Sequence, residues 1–499
     1  MKGIIDTTLR EGEQSAYVYF NLAEKLHIIG LLDKVRVDEI EAGVAVMNPE
    51  TKELFRQIRE WNLKKQSKSI GDQAAGNGGG GQSFLSAGSS VHTDISEDTE
   101  NGKLKTDNFL TPLSPGLPVS PSPSPPLPLP PSLSTPRLSL WCRCQASDID
   151  ETLRLSPDIL SMSIPVSDIH IKKKLGKDRE WVLARISDSI KQAKDTAPSP
   201  CYLSLGLEDA SRADPAFVEE VCSLAQEEGI NRIRFADTVG IMDPMTMMST
   251  VTRLRSLLKV DLVDLGVHTH NDFGMATANA ISALAAGADF IDVTVNGLGE
   301  RAGNAALEEV VAFLAKRKGV EKYNLKPLRF LSDYVARASH TAISPKKPIV
   351  GKDIFTCESG IHLDGLIKSP SNYEPYDPAE VCMERKFLVS KKGGRHSLKH
   401  KLESLGLKTE GHLLVELLMK IKDESSRLKT DFTDEELLHL YAMQQDSVYK
   451  DGMQCDAVQE DVVQRDSAQE NAVQRDAVQE DTMQRDAVQD NAVQRDAMQ

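Results

Sequence analysis

The sequence predicts an α/β protein built on a (β/α)8 barrel, on three observations. Short apolar runs and amphipathic stretches alternate eight times between residues 3 and 318. Polar clusters stand directly after several of the apolar runs. The one long low-complexity insert, by contrast, falls after a helix and before a strand. Eight strand–helix units are the arithmetic of a barrel closing by about residue 320, with active-site groups where strands end and helices have yet to begin. A doubly wound open sheet is the structural alternative. The expected organisation is a TIM-barrel catalytic domain over 1–320, interrupted by a disordered insert at 66–136. A small, mainly helical C-terminal subdomain follows over 321–445, and a disordered repeat tail over 446–499.

The elements follow in order. Gly3–Asp6 reads as a strand, and Leu26, Ile29 and Leu32 give the stretch 22–35 a helical apolar spacing. Residues 38–43 form a second strand and 49–61 a second helix. After the insert, strands are predicted over 138–142, 159–165, 202–207, 232–236, 262–268 and 290–295. Their helices are predicted over 149–155, 180–194, 215–228, 244–258, 276–286 and 305–318.

Composition narrows the class. The net charge is −15, but thirteen acidic and five basic residues between 446 and 499 account for −8 of it. The remainder is mildly acidic, which argues against a nucleic-acid surface. No run approaches the roughly 18–20 apolar residues that span a bilayer, and the N-terminus enters a strand without a signal-peptide pattern. Seven cysteines without repeated spacing fit reduced thiols in a cytoplasm. Cys142 and Cys144 share a strand face, a spacing that suits either a metal or two buried thiols, the latter favoured. The insert joins Gly76–Gly81 to the Pro/Ser tract Ser120–Pro131, sequence that cannot bury enough apolar surface to offset its ordering entropy. The tail repeats every five residues, as in Asp456-Ala-Val-Gln-Glu460, and five matches neither helical nor strand periodicity.

The most informative chemistry lies at His268-Thr-His270, which ends an apolar strand. Residues two apart on a strand share a face, so two imidazoles are offered to one divalent ion. Two further clusters join them: Asp6-Thr-Thr-Leu-Arg-Glu-Gly-Glu-Gln14 and the Gly-rich stretch Asn296–Asn304. Glu11, His268, His270 and Asn304 would supply a carboxylate, two imidazoles and an amide oxygen, a mixed set suited to catalytic Mg2+ or Mn2+, with Zn2+ also compatible. Such an ion polarises a carbonyl. Arg10 would stabilise a developing oxyanion, Glu208 would serve as acid or base, and Thr238 would offer a hydroxyl to a carboxylate. Each has a plainer reading: Glu208 as a helix N-terminal acid, Arg10 and Glu11 as a surface pair, the histidines as satisfied strand-end residues.

These segments, with Phe235-Ala-Asp-Thr-Val-Gly240 and Glu208-Asp-Ala-Ser-Arg212, resemble the α-isopropylmalate/homocitrate synthase family over roughly 1–65 and 137–440. Within it the chain most resembles the nitrogen-fixation homocitrate synthases. The resemblance implies a metal-dependent Claisen condensation of acetyl-CoA with 2-oxoglutarate, followed by thioester hydrolysis to homocitrate and CoA. It implies metal binding by Glu11, His268, His270 and Asn304, electrophilic help from Arg10, and substrate contacts at Gln14 and Thr238. It also implies a homodimer in which the segment Phe355–Gly365 reaches the partner's active site. His362 and Tyr373 would there act as acid/base groups with Glu208. The chain departs from the family at Cys357, where many relatives have His, and at Lys391-Lys-Gly-Gly-Arg395, where a His-containing loop is usual. Lysine-pathway relatives place an Arg near Ser204, and the leucine-binding regulatory domain of isopropylmalate synthases has no counterpart here. That last difference favours a homocitrate over an isopropylmalate synthase; the alternatives are a sister synthase taking 2-oxoisovalerate or pyruvate, or a catalytically weak scaffold.

Overall fold

The structure, a computed structural model, describes residues 1–46, 50–60, 136–198, 201–408 and 411–450. The expected insert lies outside the described residues except for 136, and the expected repeat tail except for 446–450, which are helical and not disordered, so the tail begins later than expected. The chain divides into two compact units. The first comprises Met1–Glu13, Phe20–Thr269 and Ser282–Asp292, and the second Gln14–Tyr19, His270–Ile281 and the chain from Val293 onward.

Eight parallel strands close into a barrel in sequence order: β1 (Gly3–Asp6), β2 (Glu39–Val44), β3 (Arg137–Arg143), β4 (Ile159–Pro165), β5 (Tyr202–Glu208), β6 (Arg232–Asp237), β7 (Asp264–Thr269) and β8 (Phe290–Val293). The amides of Lys2 and Gly3 donate to the Asp289 carbonyl, joining the last strand's approach to the first. The helices of the first unit are α1 (Leu22–Val35), α2 (50–60), α3 (Ala146–Leu153), α4 (Asp168–His170, running into a π-helical turn at Ile171–Leu175), α5 (Arg179–Thr196), α6 (Pro215–Glu227) and α7 (Pro244–Leu257). Boundaries agree with the sequence pattern to within a few residues. The π-helical turn is new, and β8 is shorter than expected because Val295–Gly297 turns into a 3-10 helix.

Local chemistry explains where the helices start. Asn21 and Glu24 form a reciprocal capping box on α1. Asp178, Asp214 and Asp243 accept backbone N–H bonds at the starts of α5, α6 and α7, the last two with Pro at the first helical position. Alternation sorts the strands. Ile40, Ile233, Phe235, Leu265, Val267 and Ile291 are buried apolar positions. The alternate positions carry Glu39, Glu41, Ser139, Ser161, Ser204, Arg232, Arg234, His268 and Asp292, which are also buried. The barrel interior is thus filled with ion pairs and hydroxyls more than with hydrocarbon. Glycine makes room for it: a Cβ on Gly266 would stand 3.1 Å from Arg234 Cγ and 3.5 Å from Arg232 Cδ. A bulge after Glu41 shifts the β2–β3 register, and Gly43 takes the positive φ of 138° there.

Helix α8 (Ala276–Ala285) follows β7, and the second unit carries α9 (Leu307–Lys318), α10 (Leu328–Ala338), β9 (Thr356–Cys357), α11 (Gly360–Lys368), β10 (Lys386–Phe387), α12 (Arg395–Ser404), α13 (Gly411–Leu428) and α14 (Asp434–Lys450). The short strands β9 and β10 pair in parallel. Leu398 and Leu402 of α12, Leu414, Leu417, Leu418 and Ile421 of α13, and Leu437 of α14 form an apolar core with Val389. Among the described residues, no helix is long and apolar enough to cross a membrane.

Candidate active site and metal centre

The turn after β1 is fixed by its own sequence. The Thr7 carbonyl accepts the amides of Arg10 and Glu11 at 3.0 and 2.8 Å, while Asp6 accepts the Thr8 amide and hydroxyl. This aims Arg10 and Glu11 inward, 9% and 2% exposed, so they are no surface pair. At the end of β7, His268 is 5% and His270 3% exposed. One donor atom from each of Glu11, His268 and His270 lies within 4.8 Å of the others. Glu11 Oε2 and His268 Nε2 are 3.9 Å apart. Ligands bound about 2.0–2.2 Å from one ion stand roughly 3–4 Å from one another, so this buried N/O set fits a divalent cation.

A chain of opposite charges supports it. Arg10 pairs with Glu11 through Nη1, and its Nε donates to Glu41 Oε2 at 2.6 Å. Arg234 Nη1 donates to Glu41 Oε1 at 3.0 Å, and its Nε stands 3.2 Å from Asp292 Oδ2. The same Asp292 oxygen lies 2.8 Å from His268 Nδ1. Burial alone would raise the pKa of Glu41, but the guanidiniums of Arg10 and Arg234 overcome it and hold the carboxyl well below the usual range. Two residues earlier on the same strands, Arg232 donates to both Glu39 oxygens at 2.7 and 2.9 Å and to Ser204 Oγ at 3.0 Å, all fully buried. The Arg10 guanidinium also lies over the Trp141 ring at 5.5 Å.

A second polar group forms where β4, β5 and β6 end. Glu208 is half-buried, with Lys174 Nζ donating to it at 2.5 Å and His170 Nδ1 at 3.1 Å without hydrogen-bond alignment. Asp209 takes a left-handed φ of 62° and accepts hydrogen bonds from Arg212 Nε and Nη2, each at 2.8 Å, and from the Ser167 hydroxyl at 2.5 Å. The Thr238 hydroxyl accepts the Asp209 amide at 2.8 Å, so Thr238 and Glu208 belong to one cluster. Buried Cys142 and Cys144 are free thiols pushed up by burial, Cys144 to about 12, which makes them poor metal ligands.

Within the second unit, His270 and Asn304 form an isolated antiparallel bridge. The Gly-rich loop folds back on Asn304: its amide donates to the Gly297 carbonyl at 3.0 Å, and a Cβ on Gly299 would collide with its Oδ1. Asn296, Gly297 and Gly303 take the positive φ values that make this turn. Glu308 Oε2 accepts the Asn296 amide at 3.0 Å, and Lys347 pairs with Glu308 at 3.1 Å. His362 and Tyr373 lie against each other, ring centroids 4.5 Å apart, and both are exposed. Gln14 ends the 3-10 turn Gly12–Gln14 and is exposed.

Glu41, Arg234, Asp292 and His170 were not singled out from sequence. A carboxylate inside the apolar run Phe290–Val293, and charges alternating on β2 and β6, were the available signals.

The chain matches the HMGL-like family model over residues 2–71 and 131–335. It matches the homocitrate synthase post-HMGL domain-like model over 349–429. It is 36% identical over 445 residues to 2-isopropylmalate synthase 2 of Caldanaerobacter subterraneus, covering 88% of this chain and 94% of that protein. To homocitrate synthase 1 of Nostoc sp. it is 36% identical over 445 residues, covering 89% and 98%. To homocitrate synthase AksA of Methanopyrus kandleri it is 34% identical over 435 residues, covering 87% and 90%.

Proposed function

The chain belongs to the HMGL-like family, and from that premise we propose that it is an acyltransferase condensing acetyl-CoA with a 2-oxo acid, 2-oxoglutarate in the first place, to give homocitrate and CoA. The observation that carries this reading is the buried trio Glu11, His268 and His270, donor atoms converging at strand ends of a barrel. Asn304 completes the proposed ligand set. A divalent ion there, Mg2+ or Mn2+ with Zn2+ as the alternative, would act as a Lewis acid toward the keto oxygen.

The side chains divide the remaining work. Thr238 and Gln14 hold the 2-oxo acid. A base, drawn from Glu208 with His362 and Tyr373 of the second unit, takes a methyl proton from acetyl-CoA. The enolate carbon attacks the keto carbon, and Arg10 stabilises the oxygen that becomes negative before it is protonated. Water then cleaves the thioester, releasing CoA. The proposed assembly is a homodimer in which His362 and Tyr373 serve the partner's site.

A second reading, isopropylmalate or citramalate synthesis from 2-oxoisovalerate or pyruvate, has a specific point in its favour. The Ser204 position offers no cation to a distal carboxylate, since neighbouring Arg232 is committed to Glu39 and to Ser204 itself. CoA-thiol release decides between them. The purified protein would receive acetyl-CoA with 2-oxoglutarate, 2-oxoisovalerate or pyruvate, each with Mg2+, Mn2+ or EDTA. EDTA-sensitive release with 2-oxoglutarate supports the homocitrate assignment. Preference for another acid keeps the chemistry and changes the product. No release from folded, metal-loaded protein overturns the synthase reading and leaves a scaffold.

A further inference from the structure

We propose that Asp292 is a positioning residue for the metal centre: it fixes His268 as the Nδ1–H tautomer, leaving Nε2 as the ligand atom, and Arg234 anchors Asp292 in the pose that does so. The inference rests on the metal-site reading above and deepens it.

The geometry is specific. Asp292 sits on β8 with its neighbours Ile291 and Val293 buried and apolar, and is itself 2% exposed. A carboxylate in such a run is costly unless it is paired and hydrogen-bonded. Its Oδ2 faces two donors at once: His268 Nδ1 at 2.8 Å and Arg234 Nε at 3.2 Å. An ionised carboxylate only accepts, so the His268 nitrogen facing it must carry a proton. In neutral imidazole the other nitrogen then carries the lone pair. That nitrogen, Nε2, is the one 3.9 Å from Glu11 Oε2. One carboxylate thus settles which atom of His268 meets the ion, and outer groups of this kind set ligand orientation and basicity.

Arg234 gives Asp292 its fixed position, because the guanidinium is held from both ends. Its Nη1 donates to Glu41 Oε1, and Glu41 is gripped in turn by Arg10. Gly266 opposite leaves space for the arginine stem, at 3.1 Å from where a Cβ would stand. The series His268, Asp292, Arg234, Glu41, Arg10, Glu11 starts and ends on proposed ligands. Two arms of the metal centre are therefore braced against each other through the barrel interior, independently of the ion.

The test uses the full chain stripped with EDTA and titrated with Mn2+ alone by calorimetry, with circular dichroism as the folding control. Asp292→Asn keeps the shape but presents an amide, whose N–H2 favours the opposite tautomer. It should bind Mn2+ about 10–100-fold more weakly than wild type. Asp292→Glu should recover part of that loss. A folded Asp292→Asn chain with wild-type Mn2+ affinity would overturn the proposal. A readout that needs no variant at Asp292 is the 15N spectrum of histidine-labelled apo protein, His268 being identified by the signal missing in His268→Ala. Protonation at Nδ1 is expected, and protonation at Nε2 overturns the assignment. His268→Ala also separates the two levels of the argument. If it binds Mn2+ as wild type does, the metal-site reading itself fails. If it loses Mn2+ while Asp292→Asn does not, only the role of Asp292 fails.

Discussion

Arg232 and Glu39 are fully buried and joined by two hydrogen bonds, so neither can lose the other without stranding a charge away from water. Arg232→Met should cost about 3–5 kcal/mol in urea unfolding, whereas an exposed pair such as Arg427–Glu424 should cost close to nothing when broken. Glu41 makes a pH prediction. Its carboxyl is held below the ordinary value of 4.5, so the stabilisation is complete above about pH 4.5 and disappears as the pH falls through the lowered value. The gap in urea midpoint between wild type and Glu41→Gln should be wide near neutrality and should narrow in acid. A gap that does not change with pH would mean Glu41 is not the group titrating. At this scale the sequence was half legible. His268 and His270 announced themselves by spacing. Asp292 and Arg234 did not, because their meaning lies in partners dozens of residues away.

Among the elements, the Gly-rich loop between β8 and α9 makes the sharpest statement. Gly299 has no room for a side chain, since a Cβ would meet Asn304 Oδ1. Gly299→Ala should displace Asn304 and lower turnover with secondary structure intact. Gly319, at the C-terminus of α9, has φ 68° and open space around it. Gly319→Ala should therefore cost only the left-handed strain, about 1–2 kcal/mol of stability, with turnover unaffected. Equal effects on turnover in the two variants would dissociate Asn304 from the reaction. The strands were readable because alternation and β-branched runs state them locally. The π-helical turn at Ile171–Leu175 was not, since Lys172-Lys-Lys174 carries no apolar periodicity.

In the whole molecule, two separate interiors follow from the sequence, and they differ in kind. The barrel is closed and lined with charge, whereas α12, α13 and α14 share a small apolar core. Leu417→Ala, at 1% exposure, should cost about 2–5 kcal/mol locally. Hydrogen exchange should show faster opening in α12–α14 than in β4–β6, and faster still in that variant. Uniform exchange across both would mean one cooperative unit. The barrel was predictable as a whole because eight units count themselves. The arrangement of the second unit was not, because its strands are only two residues long and its helices do not recur in a unit that can be counted.

The charged interior of the barrel has a consequence for how such a chain can change over time. Glu39 with Arg232, and Glu41 with Arg10 and Arg234, are acceptable together and harmful apart. A sequence drifting one codon at a time meets a barrier at each of these positions, although compensated double replacements beyond the barrier are viable. Substitutions there should accordingly be strongly epistatic, while the apolar outer faces of the same strands remain free to exchange Val, Ile and Leu singly.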